Sequence, residues 1–158
     1  MAKRYWLFKS EPDCFSIEDL AASPDQTAHW DGVRNYQARN LLRDDVKKGD
    51  EVLFYHSSAK PTGIAGLCVV SRAGYPDHTA WDPDSEHFDP KARPDNPIWY
   101  MVDVTLKKKL PETLPLKVLK ETAGLEEMMV TQRGARLSVQ PVRPNEWKII
   151  RKLLRDYL

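Results

Sequence analysis

The sequence predicts an α+β fold, a small mixed β-barrel of about five to six strands with helices in the connections. Three observations predict it. Strand-like stretches rich in aromatic and β-branched residues open the chain, fill its middle and recur near its end. Helical stretches fall between them, but without the regular strand–helix alternation of a parallel doubly wound sheet. A length of 158 residues, 41% of them hydrophobic, suits one domain over 1–158 with a full-sized core.

Each element has its own signal. Residues 4–9, RYWLFK, are aromatic and alternating and form the first strand. Ser16-Ile17-Glu18-Asp19 has the form of a capping box, with Ser16 as N-cap and Asp19 reaching back. It opens a short helix through residues 20–22, which Pro24 stops. Residues 36–46 form a second helix with Ala38, Leu41, Leu42 and Val46 on its inner face. Gly49-Asp50 turns the chain into a strand at 51–56, and residues 63–70 form the next. Phe54 and Tyr55 must point to opposite faces of the sheet, and Phe54 is assigned to the core. Residues 71–97 read as one long loop with five prolines, and loops of that length are usually functional or mobile. Residues 98–108 form a strong strand, 116–122 a helix ending at Gly124, and 137–139 a short strand. Pro144 stands at the start of a last helix, where its missing N–H costs nothing. That helix places Trp147, Ile150 and Leu154 on one face, with Ile149, Leu153 and Tyr157 flanking. Trp6, Trp99 and Trp147 read as core, and Trp81 covers a pocket or pins the long loop.

Composition narrows the function. The longest clean apolar run, 63–70, is far short of the ~20 residues that cross a membrane, so no membrane partner is expected. The N-terminus lacks the apolar core of a secretory signal, and a cytoplasmic monomer is expected. Cys14 and Cys68 stand in no metal or redox spacing and read as reduced thiols. Twenty-four Lys and Arg against 23 Asp and Glu argue against a high-affinity, sequence-blind grip on DNA phosphates. Nucleotide-cradling glycine motifs, the G-x-S-x-G elbow and the zinc deaminase pattern are all absent from the sequence. His78, Asp82, Asp84, His87 and Asp89 could bind a metal, but a solvated, Pro-stiffened loop is the plainer account. No cofactor and no metal are expected.

The aromatic and polar residues are more informative. Trp30 sits in the polar stretch Ala28-His29-Trp30-Asp31-Gly32 just before a helix. It either packs under that helix or offers a flat wall on which an unpaired base stacks, an interaction worth about 1–3 kcal/mol. Tyr55, His56 and Ser57 follow a strand, where side chains emerge at a barrel rim.

These stretches resemble the EVE domain family. Its opening motif is matched by YWLFKSEP at 5–12, its second by WDGVRNYQARN at 30–40 and its third by GDEVLFYHS at 49–57. WYMVDV at 99–104 and RLSVQPV at 136–142 complete the set, in order over nearly the whole chain. The resemblance implies a PUA-like barrel related to YTH domains, which read methylated adenine in RNA. It also implies a pocket for a modified nucleobase, with modified cytosine in DNA favoured. The lining it implies is Ser10, Trp30, Asn35, Tyr55, His56, Ser57, Ser138 and Gln140. Trp30 and Tyr55 would be the stacking walls, and Asn35 and Gln140 would pair donor and acceptor with a base edge. Arg34, Lys60, Arg133 and Arg136 are candidates for flanking phosphates, or plain solvated charges. A base enclosed this way must be flipped or unpaired. An RNA-binding module is the alternative expectation. An enzyme on modified nucleotides is a third, with His56 as base and Glu11 or Asp31 as its partner.

Overall fold

The structure, a computed structural model, describes residues 3–134 and 136–156. Six strands are present among them: β1 (Tyr5–Ser10), β2 (Thr27–His29), β3 (Glu51–His56), β4 (Gly63–Pro76), β5 (Tyr100–Pro115) and β6 (Val139–Val142). The α-helices are α1 (Ile17–Ala22), α2 (Tyr36–Asn40), α3 (Leu116–Glu121) and α4 (Pro144–Leu154). The strands form one sheet in the order β2-β5-β4-β3-β1-β6. β1 runs parallel to β3, because α1, β2 and α2 lie in the crossover between them; the other neighbours are antiparallel.

The mixed α+β architecture is as expected, but the sheet is not closed into a barrel. Its edges are β2, with three residues, and β6, with four. Pro141 in β6 also lacks an N–H. Such short edges cannot complete a ring of ladder hydrogen bonds. Register shifts along β4 and β5 bend the sheet instead.

Local chemistry explains most boundaries. The α1 capping box forms as expected, with Asp19 N–H donating to Ser16 Oγ (3.1 Å) and Ser16 N–H to Asp19 Oδ2 (2.9 Å). The helix expected at 36–46 is α-helical only to Asn40 and continues as a π-helical turn, Leu41–Asp45. Val46 N–H closes that turn on Leu41 O at 2.9 Å. β2 has no sequence pattern to announce it; pairing with β5 makes it, including a Thr27–Thr105 hydroxyl contact of 2.7 Å. The long loop is shorter than expected. β4 continues through Pro76, and a 3-10 turn, His78–Trp81, follows. β5 starts at Tyr100, so Trp99 lies outside it, in a small separate cluster with Ala80 and Ala92. β6 begins two residues later than expected because its pairing to β1 sets it, Phe8 opposite Val139 and Tyr5 opposite Val142. Tyr157 lies outside the described residues.

The sheet is buried on both faces. Trp6, Phe8, Trp30, Leu42, Phe54 and Val102 belong to a core covered by α1 and α2. Leu7, Leu53, Tyr55, Leu119, Trp147 and Ile150 belong to a second core covered by α3 and α4. All six residues of β3 are buried, so Tyr55 is core as well as Phe54, on the opposite side. The expected alternation holds, but neither face of this strand is open.

Candidate nucleic-acid interface

At the C-terminal end of β1 and β3 the two strands place Lys9 opposite Tyr55. Both project from the face that α3 and α4 cover. There the sheet, α3 and the segment after α3 border an open cleft of about 840 Å³. Its floor holds Tyr55, Leu116 and Val130; Ser57 and Thr62 add hydroxyls. Its rim carries Lys9, Lys120, Arg133 and Arg136. The rim acid, Glu126, is engaged by the Gly124 N–H at 2.9 and 2.6 Å. Gly134, with φ +77, makes the left-handed turn between the two arginines. Burial pushes the Tyr55 phenol up to about 12, so it stays neutral, and burial lowers the Lys9 ammonium. Lys9 Nζ lies 5.9 Å from the Tyr55 ring centre. The cleft therefore offers short hydroxyls and a cationic rim, over a floor into which Tyr55 is packed with 2% exposure.

The structure brings Tyr55, Ser57, Arg133 and Arg136 of the expected site together here. Trp30 is elsewhere. It is 7% exposed in the opposite core, with Phe8 and Phe54 each at 5.3 Å and Phe15 at 6.5 Å. Trp30 and Tyr55 thus cannot be two walls of one pocket, because the pleat sends Phe54 to the Trp30 side and Tyr55 away from it.

Ser10 and His56 are opposite each other in the β1–β3 register. Ser10 Oγ donates to Phe15 O at 2.6 Å. His56 Nε2 accepts the Ile17 N–H at 3.1 Å, which ties the start of α1 to the end of β3. That bond needs a neutral imidazole, and burial lowers its pKa while the Glu18 carboxylate pulls weakly the other way. Ile17, not Glu11 or Asp31, holds the His56 ring. Asn35 is exposed and caps α2, its Oδ1 accepting the Ala38 N–H at 3.0 Å. Ser138 O accepts the Lys9 N–H at 2.8 Å. Gln140 is 1% exposed; its Nε2 donates to Leu137 O at 2.8 Å, and its buried Oε1 has no partner among the described residues.

Arg34 is not available for phosphate. Its guanidinium donates to Asp77 Oδ2 (3.0 Å) and to His87 O (3.0 and 2.6 Å), and it lies over the Trp99 ring. It fastens the loop after β4 to the turn before α2. Gly32 in that turn has φ +76, and a Cβ there would meet the His87 ring at 2.5 Å. Lys60 is exposed beside a smaller hollow of about 460 Å³, which also holds His56. In the loop, Asp89 accepts the Trp99 Nε1–H at 2.7 Å and Asp82 the Asp84 N–H at 2.9 Å. Among the described residues no group of three His, Cys, Asp or Glu is placed to hold a metal.

Sequence reasoning missed Lys9, Thr62 and Lys120. Lys9 carries a usable signal: it alternates in phase with Tyr5 and Leu7 and so shares the Tyr55 face. Lys120 carries none, since only the packing of α3 brings it to the rim.

Comparison with known proteins agrees with the motif pattern. The EVE domain family model matches residues 4–153. Thymocyte nuclear protein 1 of Homo sapiens is 44% identical, over 94% of this chain and 73% of its own length. The solved structure of the human THYN1 protein in complex with 5-methylcytosine containing DNA superposes with TM-score 0.88 at 42% identity, covering 96% of this chain and 97% of that one. A Pseudomonas putida protein of known structure gives 0.89 at 52% identity, covering 94% and 98%. A family model spanning almost every element of the sheet, and relatives matched nearly end to end, leave one assignment: the chain belongs to the EVE domain family.

Proposed function

We propose that the protein is a non-enzymatic reader of modified cytosine in DNA. The observation that carries this reading is the cleft: about 840 Å³, within the ~300–1,000 Å³ typical of ligand pockets. Its hydroxyls at Ser57 and Thr62 and its rim of Lys120, Arg133 and Arg136 suit a nucleotide unit and its phosphates, while Tyr55, 2% exposed, packs beneath the floor. The human relative, similar over the whole domain, is held in a complex with 5-methylcytosine DNA. A cytosine enclosed in such a site has left the base stack, so the partner is a flipped or unpaired nucleotide.

The test is binding to matched oligonucleotides at one fixed salt concentration. The panel holds DNA and RNA, single- and double-stranded, plain or carrying methylcytosine, hydroxymethylcytosine or methyladenine. A preference of about tenfold or more for a modified-cytosine DNA, worth ~1.4 kcal/mol, is the expected result. Preference for a modified RNA would move the function to RNA, and equal weak binding to all would end the reading.

A further inference from the structure

The outer face of α4 carries a charge pattern that the fold does not need. Lys148, Arg151, Lys152 and Arg155 are all exposed. Their spacing of three, one and three residues sets them on one face of the helix. None of the four makes an ion pair or side-chain hydrogen bond with a described residue. Six exposed cations elsewhere are paired, Lys3 and Lys107 with Glu51, Arg4 with Asp45, Arg43 with Asp44, Lys109 with Glu18 and Arg143 with Glu127. Others, such as Lys47, Lys48, Arg133 and Arg136, form no ion pair with a described residue either, so what sets the four apart is their grouping on one helix face.

The stripe works against the helix that bears it. Lys148 is three and four residues from Arg151 and Lys152, and Arg155 is four and three residues beyond the same two. Like charges so placed destabilise a helix rather than support it. The dipole at the C-terminus favours cations in the last turn, which accounts for one or two of them but not for Lys148 in mid-helix. Packing is served by the other face, where Trp147, Ile150 and Leu154 are buried.

Charge is also distributed unevenly along the chain. Residues 116–158 hold nine Lys and Arg against five Asp and Glu, while residues 1–115 hold fifteen against eighteen. The near-neutral total conceals a basic C-terminal segment. Its two helices, α3 and α4, cover the same face of the sheet that bears the cleft. The turn after α3 packs against α4: a Cβ on Gly124 would meet Ile149 Cδ1 at 2.3 Å.

We propose that the α4 stripe is a second, sequence-independent docking surface for the phosphate backbone of duplex DNA flanking the modified base. It rests on the reading that the cleft binds DNA. From Lys148 to Arg155 the stripe is about 10 Å long, which spans about three nucleotide steps of one strand at ~3.4 Å each. Backbone contacts of this kind fix register and orientation without reading sequence. The cleft then supplies the choice of base, and α4 supplies purchase on the neighbouring duplex.

The test replaces Lys148, Arg151, Lys152 and Arg155 together by Gln, a good helix former that keeps the exposed surface polar. Unchanged thermal unfolding checks the fold. Parent and variant are titrated with a short duplex barely longer than the modified site and with a longer one, each plain or methylated, over a range of salt. On the longer duplex the variant should bind about tenfold or more weaker at low salt. The slope of log K against log salt should fall by ~0.9 for each phosphate that the variant no longer neutralises. Plain and methylated DNA should weaken equally, so their ratio stays, and the short duplex should change little. Equal affinity and slope for parent and variant on the longer duplex would overturn the proposal, even with the methylated preference intact. If no preference for methylated DNA appears in either protein, the reading of the cleft fails, and the slope on plain duplex still decides the stripe. Vesicles containing phosphatidylserine form the last arm: binding to them that the substitutions abolish, with DNA binding untouched, would assign the stripe to a membrane surface and overturn it for DNA.

Discussion

Phe54 and Tyr55, adjacent in β3, belong to different cores: Phe54 meets the edge of Trp30 at 5.3 Å, and Tyr55 floors the cleft on the other face. A strand buried on both sides separates two roles that the motif pattern assigns to one pocket. Both rings are packed, Trp30 at 7% and Tyr55 at 2% exposure; what distinguishes the Tyr55 side is the cleft with its cationic rim above it.

Trp30→Ala should therefore act on stability first. Removing a buried Trp from among Phe8, Phe15 and Phe54 leaves a large cavity and should cost ~3–5 kcal/mol. Chemical denaturation of the variant checks it. A change below about 1 kcal/mol would mean that Trp30 is an exposed wall after all.

His56 should make stability depend on pH. Its folded pKa lies below the unfolded value of about 6.5, because burial penalises the imidazolium and Nε2 must accept from Ile17. The unfolded chain then takes up the proton first. The stabilisation is fully present above about pH 6.5 and is lost as pH falls from there toward the folded pKa. His56→Gln keeps an acceptor for the Ile17 N–H and should flatten that part of the profile. Urea midpoints of the two proteins across mildly acidic pH measure the difference.

Asp77 is a fully buried carboxylate. Burial opposes its charge, but hydrogen bonds from Thr79, Gly32 and Arg34 outweigh burial and hold its pKa below the usual carboxylate range. Asp77→Ala removes the acceptor and leaves the partly buried Arg34 without its counter-charge, at a cost of about 3 kcal/mol. The segment 78–97 should then become sensitive to limited proteolysis, because Arg34 and Gly32 anchor it. Its sign with pH is opposite in origin to that of His56 but the same in direction: the Asp77 contribution is present above about pH 3.9 and is lost as pH falls through the folded pKa.

Legibility follows locality. The α1 capping box, the Pro144 start of α4 and the alternation of β1 are set by residues within a turn of one another, and all are readable. β2, the continuation of β4 to Pro76 and the late start of β6 are set by partners tens of residues away, so no local pattern marks them. The same holds for the site. Arg34 reads as a surface cation until the distant Asp77 and the His87 carbonyl are placed around it. Ser57, Arg133 and Arg136, whose surroundings are a strand end and an exposed turn, do line one cleft with Tyr55.

The two rim arginines give the sharpest test of what the cleft does. Arg133 and Arg136 are exposed and make no ion pair with a described residue, so Gln at either position should leave stability within about 0.5 kcal/mol of the parent. If they hold phosphates, each substitution should lower the slope of log K against log salt by ~0.9 on duplex DNA, or by ~0.7 on a single strand. The weakening should be the same for plain and methylated DNA, since a phosphate contact carries no information about the base. If instead one arginine touches the modified cytosine, its removal should shrink the ratio of methylated to plain affinity and leave the slope nearly unchanged. Titrations of both single variants across salt separate these outcomes. A variant that changes neither the slope nor the ratio would remove that arginine from the interface.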